Sequence, residues 1–156
     1  MAIDYFGRTA AATKRDAEFP FMEYIPKTRP ATIAQDVAAA VAYLRSPAGG
    51  SCRSVFTVGF CFGGSNSWMQ TAEGHGVAGA IGFYGNPGPN MADRSPGPLA
   101  RVGDFKAPIL ALIAGADARG SAMRWSRPIR KTRWSCIPGR RIASLTEAMN
   151  SIRTSA

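Results

Sequence analysis

Histidine is nearly absent from this chain: His75 is the only one in 156 residues. Any chemistry that needs an imidazole base has one in-sequence candidate. Cysteine is scarce too, limited to Cys52, Cys61 and Cys136. Three cysteines form no paired framework and have no metal-ligand spacing. That excludes a disulfide scaffold and a zinc module and fits a reducing compartment. Long apolar runs are missing, and stretches such as Pro108 to Ala114 are far too short to span a bilayer. The start, Met1-Ala2-Ile3-Asp4-Tyr5, has no basic region followed by an apolar stretch. No signal peptide is expected, and the cytoplasm is the expected location. Acidic residues are missing at one end only. Residues 1–118 hold 10 Lys+Arg against 9 Asp+Glu, whereas 119–156 hold 9 against 1. The formal charge of +9 therefore belongs to the tail and is weak evidence for a polyanion-binding body.

What is present is one domain's worth of chain with 46% apolar residues, enough for a sizeable core. Its body alternates strand and helix signals, the pattern of an α/β fold with a mostly parallel sheet covered by helices. Ala2 to Phe6 reads as a short buried strand, and residues 8–29, broken by Pro20 and Pro26, read as a long loop. Pro30 opens a helix, where its missing N–H does no harm. Ile33, Val37, Ala40, Val41 and Leu44 give that helix one apolar face, and Ser46-Pro47 and Gly49-Gly50 end it. Strands are expected at Ser54 to Val58, Val77 to Tyr84 and Ile109 to Ala114, with a helical stretch from the glycine-rich turn through about Glu73. After Asp117 the periodicity is lost, and only Ile142 to Ile152 could form a short helix.

Between the second strand signal and its helix stands Gly59-Phe60-Cys61-Phe62-Gly63-Gly64. A small–x–Cys–x–small run in the order strand, turn, helix is the signature of a nucleophile elbow. The tight turn requires small residues two before and two after the nucleophile, here Gly59 and Gly63. It exposes the Cys61 side chain and turns the N–H of the next residue, Phe62, toward a developing oxyanion. A helix N-terminus also favours thiolate. The bland alternative is a buried cysteine in a glycine turn. A phosphate loop does not fit, since neither G-x-G-x-x-G nor a P-loop lysine is present.

Asp117 follows the last strand after Gly115-Ala116, the place for a triad's orienting acid in the order nucleophile, acid, histidine. A solvated turn aspartate is its ordinary alternative. His75 precedes Asp117 and falls between the elbow helix and the next strand. It reads as a loop histidine rather than the base.

Ala2-Ile3-Asp4-Tyr5-Phe6-Gly7-Arg8, the G-x-C-x-G-G motif, Gly82-Phe83-Tyr84-Gly85 and Pro108-Ile109-Leu110 through Gly115-Ala116-Asp117 together resemble the dienelactone hydrolase (carboxymethylenebutenolidase) family, over residues 2–117. The resemblance implies an α/β-hydrolase fold with helices on both faces of the sheet, here partial. It implies Cys61 as nucleophile, Asp117 as triad acid, and hydrolysis of small lactones or carboxylic esters with neither cofactor nor metal. A small ester or lactone is the expected partner, with no role for membrane. Arg8 could attract a substrate carboxylate; as a solvated loop arginine it would do nothing of the kind.

Members of the family also have strands ahead of Ala2 to Phe6, with a second oxyanion donor, and a P-G-x-x-H-S-F segment bearing the base after Asp117. Neither is found here. Read from the third base of each codon, with allowed synonymous choices, Trp134 to Asn150 can spell V-V-Y-P-G-A-P-H-S-F-F-D-R-S-Y-E. We therefore expect residues 1–117 to be a partial hydrolase domain lacking its N-terminal strands. Residues 118–156 are expected to be a basic, out-of-frame, disordered tail that leaves the chain inactive. The rival expectation is a degenerate hydrolase body whose arginine-rich tail, with Trp125 and Trp134, binds nucleic acid or another polyanion. The charge split and the frame match speak for the first.

Overall fold

The computed structural model describes residues 1–11 and 13–113 in full, together with the backbone of residue 114 and of 132–137. Four helices, α1 (Gly7–Ala10), α2 (Phe21–Tyr24), α3 (Pro30–Arg45) and α4 (Phe62–Met69), accompany four strands. The strands β1 (Phe56–Phe60), β2 (Gly79–Phe83), β3 (Ile109–Ala114) and β4 (Thr132–Ile137) form one sheet in the order β1-β2-β3-β4, parallel throughout. The register runs level: Phe60 stands beside Phe83, and Phe83 beside Leu112, so the carboxyl ends of the first three strands share one edge of the sheet.

α3 forms as its sequence dictates, with Pro30 in its first turn and Ser46 capping its end. Its apolar face buries Ile33, Val37 and Val41 against Val55 and Val77, joined by Tyr5, Leu44 and Phe62. A second cluster centres on Trp68 of α4, which is fully buried against Ala80, Ile109, Ala111 and Ile113. Gly82 makes room for it, since a Cβ there would fall on the indole. Ser67 pins the same helix to the sheet, donating its hydroxyl to the Ile81 carbonyl (3.0 Å) while Thr57 donates to the Ser67 carbonyl (3.1 Å). The opposite face of β1 is open, with Phe56 60% and Val58 61% exposed.

That asymmetry follows from topology. β1, β2 and β3 succeed one another in one direction across the sheet, and right-handed crossovers then put the β1–β2 and β2–β3 connections on the side of α4. The partial α/β sheet expected from the sequence is thus present, with one face of β1 exposed among the described residues.

Three expectations change. Ala2 to Phe6 is not a strand. Among the described residues β1 is the edge strand of the sheet, and residues 2–6 do not pair with it. The Asp4 carboxylate instead accepts the Phe6 N–H (3.0 Å) and the chain turns into α1. Residues 8–29 are less loop-like than expected, holding α1, α2 and a 3-10 turn at Ile25–Lys27. The segment expected to lack regular structure after Asp117 supplies β4, paired with β3 from Ile109↔Thr132 to Ala114↔Ile137. β3 is apolar along its length, and a strand on each side satisfies its backbone groups. The possible helix at Ile142 to Ile152 lies outside the described residues.

Candidate active site

Cys61 is the single residue between β1 and α4, at φ 52°, ψ −121°. Left-handed backbone is costly for a residue with a Cβ, of order 1–3 kcal/mol, and such outliers gather at functional sites. Hydrogen bonds hold it there. Its N–H donates to the Phe83 carbonyl (2.9 Å), and its carbonyl accepts the Gly64 N–H (2.9 Å). The side chain is exposed at the carboxyl end of the parallel sheet, where open α/β sheets place ligands. As the first residue of α4, Phe62 has no carbonyl behind it within the helix to accept its N–H, the condition an oxyanion donor needs.

The glycines divide the work differently from the sequence expectation. A Cβ on Gly59 would collide with the Gly63 carbonyl, so glycine is needed at 59. Gly63 itself has room: a Cβ there would stand 3.5 Å from the Tyr5 hydroxyl, an ordinary contact. The second demanding position is Gly64, where a Cβ would come within 2.8 Å of the Phe83 carbonyl. Close packing of helix start against strand end, rather than the turn alone, explains the Gly63-Gly64 pair.

Asp117 lies outside the described residues. β3, which leads to it, ends at Ala114 on the same edge of the sheet as Cys61. His75 is at the other edge. It precedes β2, its ring nitrogen Nε2 is 3.2 Å from Gln70 Oε1, and Arg45 donates to its carbonyl (3.1 Å). Arg8 lies on α1, with its guanidinium engaged by both carboxylate oxygens of Asp36 (3.2 and 2.5 Å). That hydrogen bonding, followed by the charge of Asp36, raises the Arg8 pKa. Nothing in this geometry frees Arg8 for a substrate. A surface depression beside the elbow, lined by Phe62, Ser65, Met69 and the 86–98 loop, does not include Cys61.

Tyr84 is the residue sequence reasoning missed. It follows β2 at φ 40°, and its ring lies 6.4 Å from that of Phe60. Partial burial, and then the negative charge that Cys61 would carry, raise its pKa above the usual 10. The available signal was an aromatic residue at the end of a buried strand, between Phe83 and a glycine. Among the described residues no group of His, Cys, Asp and Glu could hold a metal, and no helix is long and apolar enough to cross a membrane.

A parallel sheet with its exposed nucleophile candidate on a strained strand-to-helix turn is the α/β-hydrolase arrangement. The solved structure titled "Putative Dienelactone Hydrolase from Klebsiella pneumoniae subsp. pneumoniae MGH 78578" superposes with a TM-score of 0.63 at 19% identity, over 91% of this chain and 66% of that one. The dienelactone hydrolase family model matches residues 1–134, and the chain belongs to that family. A protein of Methylorubrum extorquens AM1 named "Putative carboxymethylenebutenolidase" is 31% identical over 96 residues. The match covers 61% of this chain and 33% of that relative, so the chain spans about a third of its length.

Proposed function

We propose that the chain carries the nucleophile of an ester hydrolase acting on small lactones and carboxylic esters, and that Cys61 is that nucleophile. The observation that supports this best is the exposed cysteine at φ 52° on the strand-to-helix turn, at the carboxyl edge of the sheet. In the proposed reaction the Cys61 thiolate attacks the ester carbonyl and forms a C–S bond, with the oxyanion held by the Phe62 N–H. Collapse breaks the C–O bond, the leaving oxygen takes a proton from solvent water, and a thioester remains on Cys61. Water activated by a base then hydrolyses the thioester, with Asp117 orienting that base. His75 is at the wrong edge of the sheet for this role, and the chain as written stops at the acyl-enzyme.

Partial alkylation at neutral pH, mapped by mass spectrometry, tests the assignment. Cys61 should label fastest of the three thiols. Labelling no faster than Cys52 and Cys136 would remove the basis for an activated nucleophile.

A further inference from the structure

The Phe62 N–H belongs to the peptide that joins Cys61 to Phe62. In a planar trans peptide the carbonyl and the N–H point in opposite directions, so whatever holds the Cys61 carbonyl also aims that N–H. The Cys61 carbonyl accepts the Gly64 N–H (2.9 Å) and the Ser65 N–H (3.3 Å). Ser65 also reaches out of its helix. Its hydroxyl donates to the carbonyl of Asn86 (2.7 Å), 21 residues further along the chain. Asn86 is itself fixed: its carboxamide oxygen accepts the Gly88 N–H (2.9 Å), and the loop it opens is closed by the Leu99 N–H on the Pro87 carbonyl (2.9 Å). Little slack is left between α4 and the chain leaving β2. The Cys61 N–H is bound to the Phe83 carbonyl (2.9 Å), Tyr84 takes φ 40°, and a Cβ on Gly85 would stand 2.6 Å from Ser65 N. Residues 61–65 and 83–86 are therefore fastened together at both ends, by the Cys61 N–H on Phe83 and by the Ser65 hydroxyl on Asn86. One fastening lies before the Cys61–Phe62 peptide and the other after it.

We infer that Ser65 is a positioning residue for acyl transfer at Cys61: tethered to Asn86, it holds the Cys61–Phe62 peptide with its N–H turned toward the oxyanion. This rests on Cys61 being the nucleophile. The effect of Ser65 passes through that peptide, and no contact with substrate is required. Ser65 is half-buried beside the surface depression, so water can take up the Asn86 carbonyl when the hydroxyl is removed, and the fold should survive the change.

Two reactions of the same sulfur separate this role from a general loosening of the turn. Acylation by an ester builds an oxyanion, whereas alkylation by iodoacetamide is a displacement at carbon and builds none. Ser65→Ala should slow single-turnover acylation of Cys61 by para-nitrophenyl acetate ~10-fold, part of the ~10²–10³ that a whole oxyanion donor is worth. Its alkylation rate should stay within about twofold of the parent's, because that reaction does not use the donor. Ser65→Thr, which keeps the hydroxyl, should acylate at the parent rate. Unchanged acylation in Ser65→Ala, both reactions slowed by the same factor, or Ser65→Thr as slow as Ser65→Ala would each overturn the role of Ser65 and leave the nucleophile standing. A parent chain whose Cys61 is acylated no faster than Cys52 and Cys136 overturns both.

Discussion

Given an activated aryl ester, the chain should release about one equivalent of alcohol per Cys61 and then stop. Attack needs a thiolate and an oxyanion donor, which the proposed assignment gives to Cys61 and the Phe62 N–H. Deacylation needs water activated by a base, worth roughly 10²–10⁴ in rate. His75 is tied to Gln70 and Arg45 at the opposite edge of the sheet, and no histidine follows Asp117. A chain whose segment after Asp117 is replaced by one bearing the P-G-x-x-H-S-F motif should turn over repeatedly and lose that turnover on Cys61→Ala. Steady turnover by the chain as written, abolished by Cys61→Ala, would show that a downstream histidine is dispensable.

Trp68→Ala should destabilise the fold by about 3–5 kcal/mol, a large share of the ~5–15 kcal/mol that holds a domain together. Trp68 is fully buried, lies against Gly82, and donates its indole N–H to the Leu110 carbonyl (3.3 Å). Truncation leaves a cavity between α4 and the strands β2 and β3 and removes that hydrogen bond. Because α4 begins at the Cys61 turn, selective Cys61 labelling should fall with stability. Val58→Thr is the matched control: its position is 61% exposed on the open face of β1, and the change should stay within ~0.5 kcal/mol. Urea melts of the two variants decide the matter. A Trp68→Ala midpoint equal to that of Val58→Thr would mean that the α4–sheet contact is not the core.

Periodicity and punctuation made much of this fold legible. α3 runs from Pro30 to Arg45 because a proline starts it, Ser46-Pro47 stops it, and Ile33, Val37 and Val41 share a face. β3 matches its apolar run residue for residue. β1 was misplaced by two residues because Phe56, Val58 and Phe60 continue an apolar alternation that Ser54 seemed to begin. Ala2 to Phe6 misled because an apolar run signals burial, not the partner strand that a ladder needs. Tyr5 is indeed packed, but on Phe62 rather than in the sheet.

At the site, strand–glycine–Cys61–glycine–helix was readable because the turn's steric demands are written in residue size. Gly64 and Tyr84 were not. Their importance arises from how closely the end of β2 approaches the start of α4, a distance no local pattern encodes.

Mass mapping of the chain after brief exposure to an activated ester tests the assignment of Cys61 most directly. One acyl group should be found, on the peptide containing Cys61, and it should be absent from Cys61→Ala. Acyl label spread over Cys52 and Cys136, or surviving unchanged in Cys61→Ala, would contradict a formed nucleophile elbow.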